Sequence, residues 1–320
     1  MPLSEPRAVL VHLAAGVGNI VLATPLLLAL DQMGLIVDVR LDADYAQTAD
    51  LLADWSVVRQ VMRDADPSWY DHVVPAIPPF YWRRFAARYR RVPHAVPRPP
   101  DRVFYTDEQE YYFAFARALG CELRERPAYR LPIAPSDRFG VTAGSVVLAP
   151  GCKTGEMAAK RWPHFPALAE RFDDVVVVGV PDDLRRADGG AMRFPAHVRS
   201  FAGALTLRET GELIASAGVV VANDSGLGHV AGASGTTTVL LFGPTSDAVL
   251  GRFPPNVTVL RAGLPCEPCW QTAKLRACRS RVDCLAAIDV DRVERVVREQ
   301  SGAVCLGARE KDACPTTPCY

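Results

Sequence analysis

Lysine is nearly missing from this chain. Of its 320 residues only Lys153, Lys160, Lys274 and Lys311 are lysines, and arginine carries the rest of the positive charge. Net charge is missing as well: 36 basic and 36 acidic residues cancel, at an isoelectric point of about 7.0. No global field draws such a chain to nucleic acid or to an anionic bilayer, so no nucleic-acid partner is expected and any basic surface must be local. Charge is also absent from one long stretch, since no Asp, Glu, Lys or Arg occurs between Ala8 and Leu30. That run approaches the length of a membrane span, but Gly16, Gly18 and Thr24-Pro25 interrupt it and Arg7 is the only cation ahead of it. A signal peptide would carry a more basic start and a small-residue cleavage site. The run reads instead as a buried strand leading into a helix, with at most peripheral membrane contact and a cytoplasmic location expected.

What is present is a core. Hydrophobic residues make up 49% and charged residues 22%, enough for about two globular domains. The abundance of Ala, Val and Arg fits a GC-rich genome. Ala8 to Leu13 reads as a strand, Asn19 to Met33 as a helix with Pro25 early in it, and Ile36 to Leu41 as a second strand. Tyr45 to Trp55 reads as helix, and Val57 to Met62 and His72 to Val74 as short strands. Strands alternating with helices in this way predict a parallel sheet covered on both faces. An Arg-rich amphipathic helix, "FYWRRFAARYRRV", follows, then a second helix, "DEQEYYFAFARALGC". The three prolines and missing helical period of 127–143 mark a domain linker.

The alternation then restarts, with strands at Ser145 to Ala149, Val175 to Val180, "VVVAND" and "TTVLLFGP". Thr206 and Glu209 form a capping-box pattern ahead of the helix "TLRETGELIASAG". The expected architecture is therefore α/β, with two Rossmann-like domains, 1–140 and 141–320, facing each other across a cleft. Ligands bind such folds at the carboxyl ends of the strands.

The sharpest local motif is Asn223-Asp224-Ser225-Gly226-Leu227-Gly228-His229, where a strand ends and a helix begins. Free backbone N–H groups and the positive end of the helix dipole make this an anion site. Gly226 and Gly228 would let a diphosphate approach the backbone, while Ser225 and His229 add donors. Asp224 either holds a sugar hydroxyl or caps the helix. Lys160, just ahead of a helix that opens near Pro163, would neutralise the charge of a leaving diphosphate. A dinucleotide fingerprint at Gly16-x-Gly18 fails, because its third glycine would fall on Val21.

Lys160-Arg161-Trp162-Pro163, the segment from Ser200 to Gly235, and Phe242-Gly243-Pro244-Thr245 together resemble the signature of glycosyltransferase family 9. This is the family of the ADP-heptose:lipopolysaccharide heptosyltransferases. The stretches "GVGNIVLATPLLLAL" and "EYYFAFARALG" are similar to its other half. The resemblance implies a GT-B fold and inverting transfer of a sugar from a nucleotide-diphosphate donor, with no catalytic metal. It places the donor on the C-terminal domain and a lipopolysaccharide-core, natural-product or other small-molecule acceptor on the N-terminal one. It assigns Lys160 to the donor phosphates, and Asp224, Ser225, Gly226, Leu227, Gly228 and His229 to the diphosphate and its sugar. Gly16, Gly18 and Asn19 fall on the acceptor side.

Asn19 departs from the family pattern, which has an aspartate acting as general base there. An amide cannot take the acceptor's proton. Three readings follow: another base, with His12, Asp42 and Asp44 as candidates; an acceptor such as an amine that needs less help; or a protein that binds a nucleotide sugar without efficient transfer. A GT-B epimerase-like enzyme acting on the donor is a further alternative.

Cys266, Cys269, Cys278 and Cys284 are spaced C-x2-C-x8-C-x5-C, which suits a structural zinc or iron ion. Disulfides or free thiols are the alternative. The resemblance adds that family members often carry a cysteine cluster here, and that the related autotransporter heptosyltransferases hold iron in one. The tail from Ser301, with Cys314 and Cys319 flanking Pro-Thr-Thr-Pro, reads as a flexible end in which those two cysteines form a bridge or stay loose.

Overall fold

The computed structural model describes residues 7–152, 160–186, 188–269 and 283–311. The charge-free run forms strand, glycine turn and helix. Strand β1 (Ala8–Leu13) is the buried centre of a parallel sheet, between β2 (Ile36–Leu41) and β4 (His72–Ala76), with β3 (Gln60–Met62) outside β2. A strand covered on both faces has no need to alternate, so it reads as an unbroken apolar run. The helix expected from Asn19 to Met33 is two helices, α1 (Val17–Leu22) and α2 (Thr24–Gln32). Pro25 occupies the first turn of α2, where its missing N–H has no partner to lose. Thr24 Oγ1 donates back to the Val21 carbonyl at 2.8 Å, tying the two helices at the break. No helix among the described residues is long and apolar enough to cross a membrane.

Four further helices belong to this unit: α3 (Ala49–Leu52), α4 (Pro79–Tyr89), α5 (Asp101–Phe104) and α6 (Glu108–Ala118). The Arg-rich α4 buries Phe85 and Tyr89 and turns Arg84 to Asp44, 3.0 Å away at the surface. Asp107 caps α6, accepting from the backbone N–H of Glu110 at 2.9 Å.

The second unit is built on a six-stranded, all-parallel sheet in the order β10-β9-β8-β5-β6-β7. Its strands are β5 (Val146–Ala149), β6 (Val175–Val177), β7 (Arg199–Ser200), β8 (Val219–Asn223), β9 (Thr237–Leu241) and β10 (Val257–Leu260). The edge strands β7 and β10 are too short or too exposed to stand out in the sequence. Helices α7 (Phe165–Ala169), α8 (Leu207–Ser216), α9 (Gly226–Ala233) and α10 (Asp247–Leu250) accompany it. Thr206 and Glu209 close the expected capping box, with Thr206 N donating to Glu209 Oε2 at 2.8 Å.

The reading of the tail changes in part. The backbone is helical from Val290 through Lys311, so the segment from Ser301 to Lys311 is not the loose end read from the sequence. Val293 and Val297 bury the start of that helix against the sheet, and no proline interrupts it before Pro315. The linker between the units is packed along its length. Tyr129, Leu131 and Ile133 are buried in it, Leu131 N donates to Ala233 O at 3.0 Å, and Arg130 N donates to Thr24 Oγ1 at 3.2 Å.

Candidate active site

The carboxyl ends of β1 and β8 deliver the N-termini of α1 and α9 to the same place. The two helices meet almost without side chains between them. A Cβ on Gly18 would lie 3.0 Å from His229 Cδ2, and a Cβ on Gly226 would lie 2.9 Å from Val17 Cβ. Both glycines are needed for that close approach. Gly228 answers to packing as well, since a Cβ there would meet Leu240 Cδ2 at 2.6 Å and Asn223 O at 2.9 Å. Leu227 likewise packs toward the core beneath α9, and neither it nor Gly228 lines the cleft.

Beside this junction lies a cleft of about 450 Å³. From the second unit it is lined by Lys160, Asp224, Ser225, Gly226, His229 and Thr245, and from the first by Gly16, Gly18, Asn19 and Glu108. Ser225 is the N-cap residue of α9 but its side chain makes no capping bond. Asp224 does not cap either. Its Oδ2 accepts from Lys160 Nζ at 2.8 Å and from Thr245 Oγ1 at 2.7 Å, while His229 Nε2 lies 3.3 Å from Oδ1. Burial works against its charge, but the Lys160 ammonium and His229 outweigh it and hold the carboxyl well below the usual range. Among the described residues no side chain caps the N-terminal N–H groups of α9.

The loop carrying Lys160 is fixed from below. Asn223, fully buried at the end of β8, accepts from Trp162 N at 3.0 Å and donates to Pro150 O at 2.6 Å. Trp162 Nε1 donates to Ile288 O at 3.0 Å, and the buried Arg161 donates to the carbonyls of Asp182 and Arg185.

The first unit's contribution centres on a pair that sequence reasoning missed. Asn19 Nδ2 donates to Glu108 Oε1 at 2.6 Å, and Tyr112 OH donates to the same oxygen at 3.2 Å. Burial pushes the Glu108 carboxyl up to about 7, against the two hydrogen bonds that favour its charge. Next to it, Gln109 Nε2 crosses to the second unit and donates to Leu250 O at 2.8 Å and Arg252 O at 3.0 Å. The wall beyond is aromatic and uncharged: Tyr45, Phe80, Tyr81 and Phe104, with Gln47.

The bases expected in place of Asn19 lie elsewhere. His12 is fully buried, with Nε2 3.1 Å from Asp42 Oδ2, Nδ1 bonded to the Tyr89 hydroxyl and the Phe85 ring edge-on at 5.1 Å. Burial lowers its pKa. Asp42 is tied to His12 and Arg88, and Asp44 pairs with Arg84 at the surface. None of the three lines the cleft. Of the four cysteines, Cys269 and Cys284 are buried and Cys266 is exposed, while Cys278 lies outside the described residues. Burial, then Glu267 and the neighbouring Cys269 and Cys266, push the Cys284 thiol up to about 12. Among the described residues no three His, Cys, Asp or Glu side chains are arranged to hold a metal ion.

Two parallel α/β units, with a helix N-terminus presented to the cleft between them, define a protein of the GT-B class. The chain belongs to glycosyltransferase family 9 (heptosyltransferase), whose family model matches residues 109–278, more than half its length. Lipooligosaccharide heptosyltransferase 2 of Haemophilus influenzae is 34% identical to it over 122 residues, 35% of each chain. The chain thus matches about a third of the length of that curated relative. The structure of E. coli ADP-heptose lps heptosyltransferase II superposes with a TM-score of 0.68 at 21% identity, covering 93% of this chain and 99% of that one. The iron-containing dodecameric glycosyltransferase TibC of enterotoxigenic E. coli superposes at 0.62 and 15% identity, over 95% of this chain and 78% of that one. At these identities the likeness to the two structures is one of fold.

Proposed function

We propose that the chain transfers a heptose, with inversion, from a nucleotide-diphosphate sugar such as ADP-heptose to a hydroxyl of a glycan or small-molecule acceptor in the cytoplasm. The observation that carries this reading is the Lys160–Asp224–His229–Thr245 cluster beside the free N–H groups of α9. There the diphosphate would meet a fixed cation and a positive helix end, and both would stabilise its charge as it leaves. In this reading residues 1–140 form the acceptor side and residues 141–320 the donor side. The acceptor attacks the anomeric carbon from the face opposite the diphosphate, which gives inversion.

The aromatic wall of Tyr45, Phe80, Tyr81 and Phe104 supports an acceptor that presents an uncharged, stackable face near its reacting hydroxyl. A lipopolysaccharide-core sugar and a natural product both satisfy that description. Incubation with ADP-heptose and each acceptor class, followed by product analysis, tests the reading. A new glycoside of inverted configuration supports it. A rearranged donor would point to an epimerase, and bound but unchanged donor to a binding protein.

We also propose that Cys266, Cys269 and Cys284, with Cys278 as fourth ligand, hold a structural zinc or iron ion. The support is the C-x2-C-x8-C-x5-C spacing of the four cysteines.

A further inference from the structure

Transfer to a hydroxyl requires a group that takes its proton, and the cleft is lined by two carboxylates, Asp224 and Glu108. Asp224 is committed on both oxygens, to Lys160 and Thr245 through Oδ2 and to His229 through Oδ1. A carboxylate held ionised by that many donors is a weak base. Glu108 is only 3% exposed, yet among the described residues it is held through one oxygen alone. Oε1 accepts from Asn19 and Tyr112, and no described residue bonds Oε2.

The amide at position 19 is the partner such an arrangement requires. It donates through Nδ2, fixing the carboxylate's orientation without adding charge. An acid in its place would set two carboxylates about one hydrogen bond apart, competing for a single proton.

We propose that Glu108, oriented by Asn19, is the general base of the transfer, an inference that rests on the reading given above. The acceptor O–H proton passes to Glu108 Oε2 as the acceptor oxygen forms its bond to the anomeric carbon. The bond from that carbon to the diphosphate oxygen breaks, and its electron pair leaves with the nucleoside diphosphate. Glu108 is left as the neutral acid and returns its proton to solvent. Asn19 is a positioning residue.

The test is steady-state kinetics with ADP-heptose across pH, beside ADP affinity by calorimetry, on the full chain. Glu108→Gln is expected to lower kcat at least 100-fold, the scale of a lost general base, while ADP affinity changes less than 3-fold. The acidic limb of the kcat profile, where the wild type loses activity as Glu108 protonates, should vanish. The double variant Asn19→Asp/Glu108→Gln, which moves the acid by one hydrogen bond, should recover at least 10-fold over Glu108→Gln. Should Glu108→Gln fail to fold, Asn19→Asp alone carries the test: its acidic limb should move up by about one pH unit or more, and an unmoved limb overturns the proposal. Wild-type turnover with Glu108→Gln within 3-fold of it overturns the base assignment and leaves the function standing. Absence of wild-type turnover with every acceptor, and with water, overturns both.

Discussion

Lys160 Nζ lies 2.8 Å from Asp224 Oδ2, and both side chains are almost completely buried. A single ammonium therefore serves an internal carboxylate and, in the proposed reaction, the leaving diphosphate. Lys160→Ala would strand the Asp224 charge with only Thr245 and His229 as partners. Removing one member of a buried pair costs about 3–5 kcal/mol. We expect a loss of that order in urea unfolding, together with at least a 10-fold loss of ADP affinity by calorimetry. Unchanged ADP affinity would mean the diphosphate binds elsewhere.

Gly18 and Gly16 make a matched comparison. A methyl on Gly18 presses on His229 at 3.0 Å, whereas one on Gly16 meets only Asn19 Oδ1, at 3.7 Å. Gly18→Ala should displace the imidazole or part α1 from α9, and lower turnover more than 10-fold. Gly16→Ala should stay within about 3-fold of wild type. Equal effects would show that the contact between the two helices does not matter to the site.

The Asn223 side chain braces the loop that carries Lys160 through two backbone groups, Trp162 N and Pro150 O. Truncation to Ala leaves Trp162 N and Pro150 O buried without partners, at about 1–3 kcal/mol for each. We expect Asn223→Ala to lower the melting temperature by several degrees and to weaken ADP binding through a loosened Lys160 loop. Full ADP affinity in a destabilised variant would confine its role to the fold.

Glu108 has a cost as well as a use. Its ordinary value of 4.5 is pushed up to about 7 by burial, so between those pH values the folded chain binds more protons than the unfolded one. Stability then falls as pH rises through that window, by up to about 3 kcal/mol from this group. Glu108→Gln removes the penalty. Its melting temperature relative to wild type should climb from pH 5 to pH 8, while a flat difference would place the carboxyl in an ordinary environment.

If the four cysteines hold an ion, protein purified under reducing conditions should carry about one zinc or iron per chain, and Cys284→Ser should lose it. Metal-free protein of full thermal stability would remove the claim.

Much of this architecture was legible because buried parallel strands leave a simple signature. "VVVVGV" and "VVVAND" read as buried strands, the charge-free start as a strand leading into a helix, and the Thr206–Glu209 cap announces itself. The residues of the proposed donor side stood out for a similar reason: Lys160, Asp224 and His229 lie at or next to element ends, where chemistry collects. Glu108 was hidden, because an acid in the first turn of a helix is ordinary there, favoured by the helix dipole. Only the fold brings residue 108 against residue 19, and no spacing rule spans 89 positions. His12 and Asp42 misled for the opposite reason. They sit at strand ends, as catalytic groups do, but His12 is fully buried against the ring of Phe85 and the hydroxyl of Tyr89, and neither His12 nor Asp42 lines the cleft.

Gln109 gives the site one further property. The residue after Glu108 bonds the carbonyls of Leu250 and Arg252, on the edge of the opposite unit. The first turn of α6 thus acts as a ruler laid across the cleft, with the proposed base at one graduation and the carbonyls of Leu250 and Arg252 held at the next. In the proposed reaction, the residue that takes the proton is thus one peptide unit away from a hydrogen-bonded tie to the second unit.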